Sequence, residues 1–515
     1  MSRETDTTRR WLLNASGAAL LSGALPATAA APAGTAPAGT AQSGASPAGA
    51  AAERATGSEA GAAPADAVAP YTATLAQYVA GTLDRELPAA VVARTRLQVL
   101  DTLAAMVSGS RLKAGESAIR YVQGLGGHPQ ATVIGSRTVT SAVNAAFANG
   151  MSAHADETDD SHPAGPFHPG CGSVAAALAI AELRGRSGAD LLRAVAVGYD
   201  VGARLITALG GTRRHSPSPV TTTFTATAAA AALLRLDARQ VRHAFSYAGQ
   251  QASGIGYWDR DPEHIEKSFD FGGMGSRNGV TAATMVAAGF SAVEDPFGGA
   301  QNIFTALGDR PAPEALVAGL GTNFDVFNAT IKKWSVGVPL QSVLDSMALH
   351  LQDAAVRAGR IRRIVVEVSP DDLHIIDNAA NPNLCLQHVV ALMIVDGGAS
   401  FASLHDAPRM SDPTILAVRR LVEAVPNDSL RTALPPRQSI VSVETADGRT
   451  LRQRISATQV RGTAGNPMDA SEVEAKALDL MVPVLGASRA RQLVAAIAGL
   501  ETLGPVGRLR RLLQA

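Results

Sequence analysis

The sequence predicts a mainly α-helical protein, with a large all-helical domain and a smaller α+β domain. Hydrophobic residues make up 46% of its 515 residues but aromatic residues only 4%, so alanine and glycine carry much of the apolar bulk. Apolar residues recur at helical spacing over long stretches, which indicates helices that are buried on most sides. After about residue 330, apolar and polar residues alternate as they do in half-buried strands.

Residues 1–31 have the pattern of an export signal. The pair Arg9-Arg10 precedes a mildly apolar stretch from Trp11 to Leu25, and small residues up to Ala31 offer a cleavage site. The stretch is too short for a permanent membrane span, and the paired arginines resemble a twin-arginine signal. We therefore expect export to the periplasm or the cell exterior, without stable membrane insertion after cleavage.

Residues 32–69 are predicted to form a disordered tether. Between Pro26 and Ala67 the chain contains no Val, Ile, Leu, Met, Phe, Tyr or Trp. Such a tract cannot bury enough apolar surface to offset the conformational entropy that it would lose on folding. Folded structure is predicted to begin near Tyr71.

Residues 70–329 and 461–515 are assigned to the helical domain. An apolar stripe from Val91 to Met106 ends at Gly109, and Ser471 and Glu474 have the spacing of a capping box. Further helices are predicted at 141–157, 172–185, 188–209, 223–236, 238–253, 276–289, 472–483 and 487–500.

Residues 330–460 are assigned to the α+β domain. Apolar residues alternate over 364–368, and two further alternating runs around Asp447-Gly448 predict a β-hairpin. Helices are predicted between these strands at 338–354, 384–396 and 412–424.

Charge and cysteine content exclude two classes of protein. Lys plus Arg and Asp plus Glu each number 45, so the chain lacks the basic surplus on which nucleic-acid binding depends. The two cysteines, Cys171 and Cys385, allow at most one disulfide, so the fold does not rest on a disulfide framework.

The densest polar cluster runs from His154 to His168 and holds three histidines and four carboxylates. His154 and Glu157 are predicted to share one face at the end of a helix, while the prolines that follow place His168 on a loop. Histidine beside carboxylate suits general acid–base chemistry. Metal binding and a nucleophilic Ser161 are alternatives, although neither H-E-x-x-H nor G-x-S-x-G occurs.

Basic residues elsewhere are candidates for binding an anion. Lys267 and Arg277 flank a glycine-rich segment before a helix, where free backbone N–H groups can bind negative charge, unless the glycines serve only close packing. Lys332 lies where the two domains join, a common place for a ligand. His388 lies on an apolar helix, either as a core residue or as a catalyst.

In chain order, these segments resemble the MmgE/PrpD family, whose members include 2-methylcitrate dehydratase, cis-aconitate decarboxylase and iminodisuccinate epimerase. The resemblance covers residues 71–503. The family's H-x-x-D-x-D-D-T and H-P patterns are similar to residues 154–161 and 168–169. Its K-x-x-x-x-G…G segment, lid lysine and D-G-R-T-L hairpin are similar to residues 267–279, Lys332 and residues 447–451.

The resemblance implies an active site between a helical domain and an α+β lid, in a homodimer that needs no organic cofactor. We assign no metal ligands. It implies a lyase, a dehydratase or a decarboxylase, that acts at a carbon next to a carboxylate of a small di- or tricarboxylate. His168 would be the acid–base group. The further catalytic residues would be His154, Glu157, Ser161 and His388, and the substrate-binding residues would be Lys267, Arg277, Lys332 and Asp160.

Several positions depart from the family pattern. Glu157 stands where Asp is usual, and Ser161 where Thr is usual. Gly337 stands where a histidine often follows the lid lysine, and His388 where the decarboxylase can have Tyr. These positions serve acid–base chemistry and substrate recognition in the family. Three alternatives to a lyase therefore stay open: an isomerase or epimerase, a non-catalytic exported solute-binding protein, and a metallohydrolase.

Overall fold

Helices carry most of the fold, as the sequence predicts. The computed structural model describes residues 68–212, 215–432 and 437–515, which belong to one compact unit. The predicted signal and nearly all of the predicted tether lie outside the described residues. Val68 and Ala69, the last two residues of the predicted tether, are described, and the Ala69 N–H donates to Asp295 Oδ2 at 2.8 Å.

The N-terminal part of the described chain is a packed array of helices. It also contains a two-residue antiparallel ribbon that the prediction of an all-helical domain omitted, formed by β1 (Ala131–Thr132) and β2 (Val139–Thr140). The helices are α1 (Pro70–Ala80), α2 (Ala89–Gly109), α3 (Lys113–Leu125), α4 (Ala142–Ala153), α5 (Pro169–Arg184), α6 (Gly188–Leu209), α7 (Pro217–Leu234), α8 (Ala238–Gln251), α9 (Ile265–Ser268), α10 (Met274–Ala287) and α11 (Ile303–Leu307).

A four-stranded sheet with flanking helices follows. The strands are β3 (Ile361–Val368), β4 (Val422–Pro426), β5 (Ser439–Thr445) and β6 (Thr450–Ile455), in the spatial order β4-β3-β5-β6. Strand β3 pairs parallel with β4 and antiparallel with β5, and β5 and β6 form the predicted hairpin. The helices are α12 (Val338–His350), α13 (Ala354–Arg357), α14 (Pro370–Ile376), α15 (Leu386–Asp396), α16 (Phe401–His405), α17 (Pro413–Arg419) and α18 (Asp428–Arg431).

The helix predicted at 412–424 is wrong in its second half. It ends at Arg419, and residues 422–426 form β4 instead. The segment Val422-Glu-Ala-Val carries β-branched residues at both ends, and its backbone pairs with β3, so sheet pairing overrides helical propensity there.

The chain closes with α19 (Ala470–Leu485), α20 (Ala487–Ala498) and α21 (Arg510–Leu513). The predicted capping box is shifted by two residues. Asp469 is the N-cap and accepts from the N–H of Glu472, whose side chain in turn accepts from the Asp469 N–H. Ser471 instead donates its hydroxyl proton to Asp469 Oδ1. An aspartate at the N-cap satisfies the free backbone donors as well as a serine does.

Buried hydrophobic side chains gather in two clusters. One spans the helices between Leu75 and Ile331 together with α19–α21, and the other lies between Val336 and Val443 around the sheet. The boundaries at residues 330 and 460 that divide the chain into two domains remain a prediction. Cys171 and Cys385 are both buried and free. Within the described part of the chain, every helix is too short or too polar to span a lipid bilayer.

Two glycines bring α4 against the segment that precedes α10. This segment, Phe269–Gly273, is a π-helical turn. A Cβ added to Gly150 would lie 2.5 Å from Ser276 Oγ and 2.7 Å from the Gly272 carbonyl oxygen. A Cβ added to Gly272 would meet the Gly150 carbonyl oxygen as closely, so the two backbones touch directly.

We predict that Gly150→Ala lowers the free energy of unfolding by about 1–3 kcal/mol, because the methyl group overpacks this contact. Gly249→Ala is the matched control, since Gly249 is also helical but its Cβ would meet only Phe224 at 3.9 Å. That variant should be up to about 1 kcal/mol more stable than the wild type. Chemical denaturation checks both, and equal effects of the two substitutions would contradict the prediction.

Candidate active site

Three segments of the chain meet in one polar cluster. The first is the loop from His154 to His168 between α4 and α5, the second runs from His264 through the π-helical turn, and the third is Lys332. The predicted helix at 141–157 ends earlier, at Ala153, so His154 and Glu157 do not share a helical face. Their side chains nevertheless belong to the same cluster, because His264 contacts both.

The Asp159 carboxylate holds two histidines. His154 Nδ1 lies 3.0 Å from both carboxylate oxygens, and His168 Nδ1 lies 3.0 Å from Oδ1. Burial raises the pKa of Asp159, but the two imidazoles lower it further, so that the net pKa lies below its usual range. Because an ionised carboxylate only accepts hydrogen bonds, both Nδ1 atoms carry the proton.

The two imidazoles differ in their surroundings. Burial, together with the neighbouring charges of His168 and His264, lowers the pKa of His154 to about 3. His154 is therefore neutral near pH 7, and its Nε2 is buried without a hydrogen-bond partner among the described residues. The His168 side chain keeps 7% of its surface exposed, and its Nε2 carries a free lone pair when the ring is neutral.

Glu157 is surrounded by cationic groups. Lys267 Nζ and His264 Nε2 contact Oε1, the latter at 3.2 Å, and Lys332 Nζ lies 3.5 Å from Oε2. Lys332 also donates to the Glu157 carbonyl oxygen at 2.9 Å. Burial raises the pKa of Glu157, but Lys267 and Lys332 outweigh it and hold that pKa well below its usual range.

The other two carboxylates of the loop have partners of their own. Asp160 accepts from the Tyr199 hydroxyl at 2.7 Å and from the Gly170 N–H at 3.1 Å. Asp156 lies 2.8 Å from His405 Nε2 in α16. Burial raises the pKa of Asp156, but His405 lowers it further, to a net value below the ordinary one. Each of the four carboxyl groups of the loop thus has an ion-pair or hydrogen-bond partner.

Exposure divides the cluster into groups that a ligand can reach and groups that support them. Lys267, His264 and His168 keep 16%, 12% and 7% of their side-chain surfaces exposed. Lys332, His154 and Asp159 are fully buried. A ligand would therefore meet one ammonium and two imidazoles.

Aromatic rings form one wall of the cluster. Phe271, in the π-helical turn, stacks on His154 with ring centroids 4.6 Å apart, and Trp258 meets Phe271 edge-on at 5.1 Å. Lys267 Nζ lies 5.3 and 5.5 Å from the centroids of Phe271 and Trp258. This wall excludes water from one side of the ammonium and strengthens its attraction for an anion.

Helix α19, near the C-terminus, contacts the loop on its buried side. Lys476 in α19 donates to the Thr158 carbonyl oxygen at 2.9 Å and lies 2.6 Å from Asp101 Oδ1 in α2. Both side chains are buried, so this contact fixes the backbone between Glu157 and Asp159.

Several residues predicted for the site lie outside this contact network. Ser161 pairs its backbone with Thr330, and Asp160 faces Tyr199. Arg277 bonds to Asn278 and lies over the Phe269 ring. His388 is fully buried in α15, where burial, Arg419 and Arg409 lower its pKa to about 4, and neither ring nitrogen has a hydrogen-bond partner among the described residues.

Sequence reasoning missed His264, Trp258 and Phe271. Helical spacing gave no signal for His264, because it precedes α9 and has a left-handed backbone conformation. The sequence did not indicate a role for Trp258 and Phe271, because apolar side chains near a glycine-rich segment are typical of core residues.

The cluster also contains two sets of side chains close enough to bind one metal ion. Ligand atoms of His154, Asp159 and His168, and likewise of His154, Glu157 and His264, lie within 4.8 Å of one another. Lys332 Nζ is 4.0 Å from Asp159 and contacts Glu157, so an ammonium already offsets the charge that would attract a cation. We therefore interpret both sets as ion-paired rather than metal-binding.

The stability of this loop should depend on pH through Asp160. Burial and the negative charge of Asp159 raise the pKa of Asp160 to about 7, whereas the unfolded carboxyl ionises near pH 4. Between these values the unfolded state releases its proton first, so the folded state loses stability as the pH rises. We predict that wild type loses stability relative to Asp160→Asn between pH 4 and 7, by up to about 1.4 kcal/mol per pH unit. Denaturation at each pH checks this, and a constant difference would contradict it.

Two family models match the chain. The MmgE/PrpD N-terminal domain matches residues 73–315, and the MmgE/PrpD C-terminal domain matches residues 334–502. Together they include the loop, His264 and Lys267, and leave out only Lys332 of the cluster.

Curated relatives point in the same direction. A cis-aconitate decarboxylase-like protein of Aspergillus oryzae is 27% identical over 281 residues, which are 51% of this chain and 57% of that protein. Cis-aconitate decarboxylase of Aspergillus terreus is 25% identical over 297 residues, 53% and 58% of the two chains. Cis-aconitate decarboxylase of Homo sapiens is 25% identical over 455 residues, 82% and 90% of the two chains. The match thus spans little more than half of the fungal relatives but most of the human one. The chain belongs to the MmgE/PrpD family.

Proposed function

We propose that the chain is a lyase that acts at a carbon next to a carboxylate of a small di- or tricarboxylate, by dehydration or decarboxylation. The observation that carries this proposal is that one cluster holds an ammonium, Lys267, and an imidazole, His168, which both keep some exposed surface, and that Asp159 orients the imidazole. The names of the curated relatives support the class of substrate and reaction.

Lys267 binds a substrate carboxylate in this proposal. When the α-proton or CO2 leaves, negative charge spreads onto that carboxylate, and a fixed ammonium stabilises it. The aromatic wall of Phe271 and Trp258 keeps water from one side of the ammonium. Lys332 is fully buried, so it acts as a positioning residue that fixes Glu157 through both its carboxylate and its carbonyl oxygen.

His168 moves the proton. Its Nδ1–H donates to Asp159, which leaves the Nε2 lone pair free to accept a proton from the substrate. The buried carboxylate then stabilises the imidazolium that forms. His154 shares the same carboxylate but has no exposed surface, so it positions Asp159 rather than touching the substrate.

The identity of the substrate is part of the test. Gly337 and His388 occupy positions at which family members can have other residues, so the assay includes hydroxy acids as well as cis-aconitate. Malate, citramalate, citrate, 2-methylcitrate and cis-aconitate form the panel, and water, CO2 and unsaturated acids are the products measured.

We predict that wild type turns over at least one member of this panel, and that Lys267→Ala lowers its kcat/KM by about 10²–10³-fold, because charge on the substrate is no longer stabilised. Lys333→Ala is the matched control. Lys333 is the next residue after Lys332, but its ammonium lies over the Trp334 ring, 4.7 Å from the centroid, outside the cluster.

Other results would refute the proposal. Solvent deuterium incorporation without net elimination would identify an isomerase, and tight binding without turnover would identify a solute-binding protein. Equal losses in Lys267→Ala and Lys333→Ala would remove the assignment of Lys267.

We also propose that the chain is exported and works as a homodimer. The twin arginines support export, and the family resemblance supports the dimer.

We predict that replacing Arg9 and Arg10 together by Lys keeps the protein in the cytoplasm, because twin-arginine transport recognises that pair. Arg3→Lys is the control. Equal export of both variants, measured by cell fractionation, would contradict the prediction.

A further inference from the structure

We propose that His264 is a second catalytic residue, which donates a proton to the oxygen that leaves a hydroxy-carboxylate substrate. This inference rests on the proposed lyase function and takes its dehydration branch. It assigns opposite roles to the two imidazoles of the cluster that keep some exposed surface: His168 removes a proton, and His264 supplies one.

The backbone holds His264 in an unfavourable conformation. Its φ of 59° and ψ of 15° lie in the left-handed region, where a side chain with a Cβ is rarely found. Its carbonyl oxygen accepts from the N–H and the hydroxyl of Ser268, which fixes that conformation. Such strain persists where surrounding contacts require it, often at functional sites. Here it directs the imidazole to Glu157 and places its ring centroid 5.3 Å from that of His154.

The contacts of His264 suit a ring in which both nitrogens donate. Nε2 lies 3.2 Å from the Glu157 carboxylate, which only accepts. Nδ1 lies 3.4 Å from Ser268 Oγ, and the hydroxyl proton of Ser268 has a backbone carbonyl oxygen, that of His154 or that of His264, as its acceptor. In the proposed role both ring nitrogens act as donors, and a doubly protonated imidazole is an acid. His168 has the opposite arrangement, with one donor on Asp159 and a free Nε2.

The two imidazoles pair with different carboxylates. Asp159 pairs with His154 and His168. Glu157 pairs with His264 and with two ammonium groups, those of Lys267 and Lys332. Both rings keep exposed surface, while the His154 ring, 4.4 Å from His168, is buried.

The proposed step conserves atoms and charge. His168 Nε2 takes the proton from the carbon next to the carboxylate, and the C–H electron pair forms the C=C bond. The C–O bond breaks, its electron pair leaves with the oxygen, and the Nε2 proton of His264 converts the leaving group into water. His168 ends protonated and His264 neutral, and exchange with solvent restores both.

His264→Asn is the variant for the test, because Asn adopts the left-handed conformation more readily than other residues and cannot donate this proton. The probes are malate and 2-fluorosuccinate, together with citrate and its analogue with fluorine in place of the hydroxyl group. Fluoride leaves without being protonated. We predict that His264→Asn loses at least 100-fold in kcat on the hydroxy acids but less than five-fold on the fluoro acids, whereas His168→Asn loses activity on both.

His243→Asn is the matched control. His243 Nε2 also lies 3.2 Å from a glutamate oxygen, that of Glu294, beside Arg239 and Arg242, and none of these residues contacts the cluster. The control should keep wild-type activity on every probe. His264→Gln serves as a second variant, and near-ultraviolet circular dichroism verifies that all variants are folded.

Three outcomes would overturn the inference. Equal losses on hydroxy and fluoro acids would show that His264 only positions other groups. Wild-type activity of both His264 variants would show that it has no role. Turnover of cis-aconitate by the wild type, with no hydroxy acid dehydrated, would refute this inference and leave the lyase proposal intact. A wild type inactive on every probe would instead refute the proposed function itself.

Discussion

The site depends on compensation of two buried carboxylates. Asp159 and Glu157 lie in the interior, where an unpaired charge would cost several kcal/mol. Two imidazoles pair with the first, and two ammonium groups and an imidazole pair with the second. Because each carboxylate holds groups from different segments, the same contacts that keep the loop folded also fix the orientation of the side chains that a ligand meets.

Close packing of the helices positions the residues of this network. Alanine, threonine and glycine on α5 and α7 bring helices close together, and α7 buries every residue from Ser218 to Leu233. The direct backbone contact of Gly150 with Gly272 brings the end of α4 to the π-helical turn. Lys476, more than 300 positions from the loop in sequence, bonds to the Thr158 carbonyl oxygen and connects the last helices to the site.

Local patterns in the sequence predicted the mainly α fold, the hairpin and the polar loop, because periodicity and turn chemistry are encoded locally. They did not predict β4, since the parallel partner that makes residues 422–426 a strand lies some 60 residues earlier. The polar loop predicted His154, Glu157 and His168. The glycine-rich segment and the predicted junction of the domains predicted Lys267 and Lys332, which the family resemblance also implied. His264 escaped, because only its left-handed backbone conformation and its contact with Glu157 distinguish it from a surface histidine.

The contact between Asp156 and His405 makes part of the stability of the fold depend on pH. It joins α16 to the polar loop, and although burial lowers the pKa of His405, the partner carboxylate raises it above its ordinary value. The attraction is therefore complete in mild acid and fades as the medium turns alkaline and the imidazole loses its charge. An alkaline medium would therefore weaken the attachment of α16 to the polar loop, and a mildly acidic medium would maintain it.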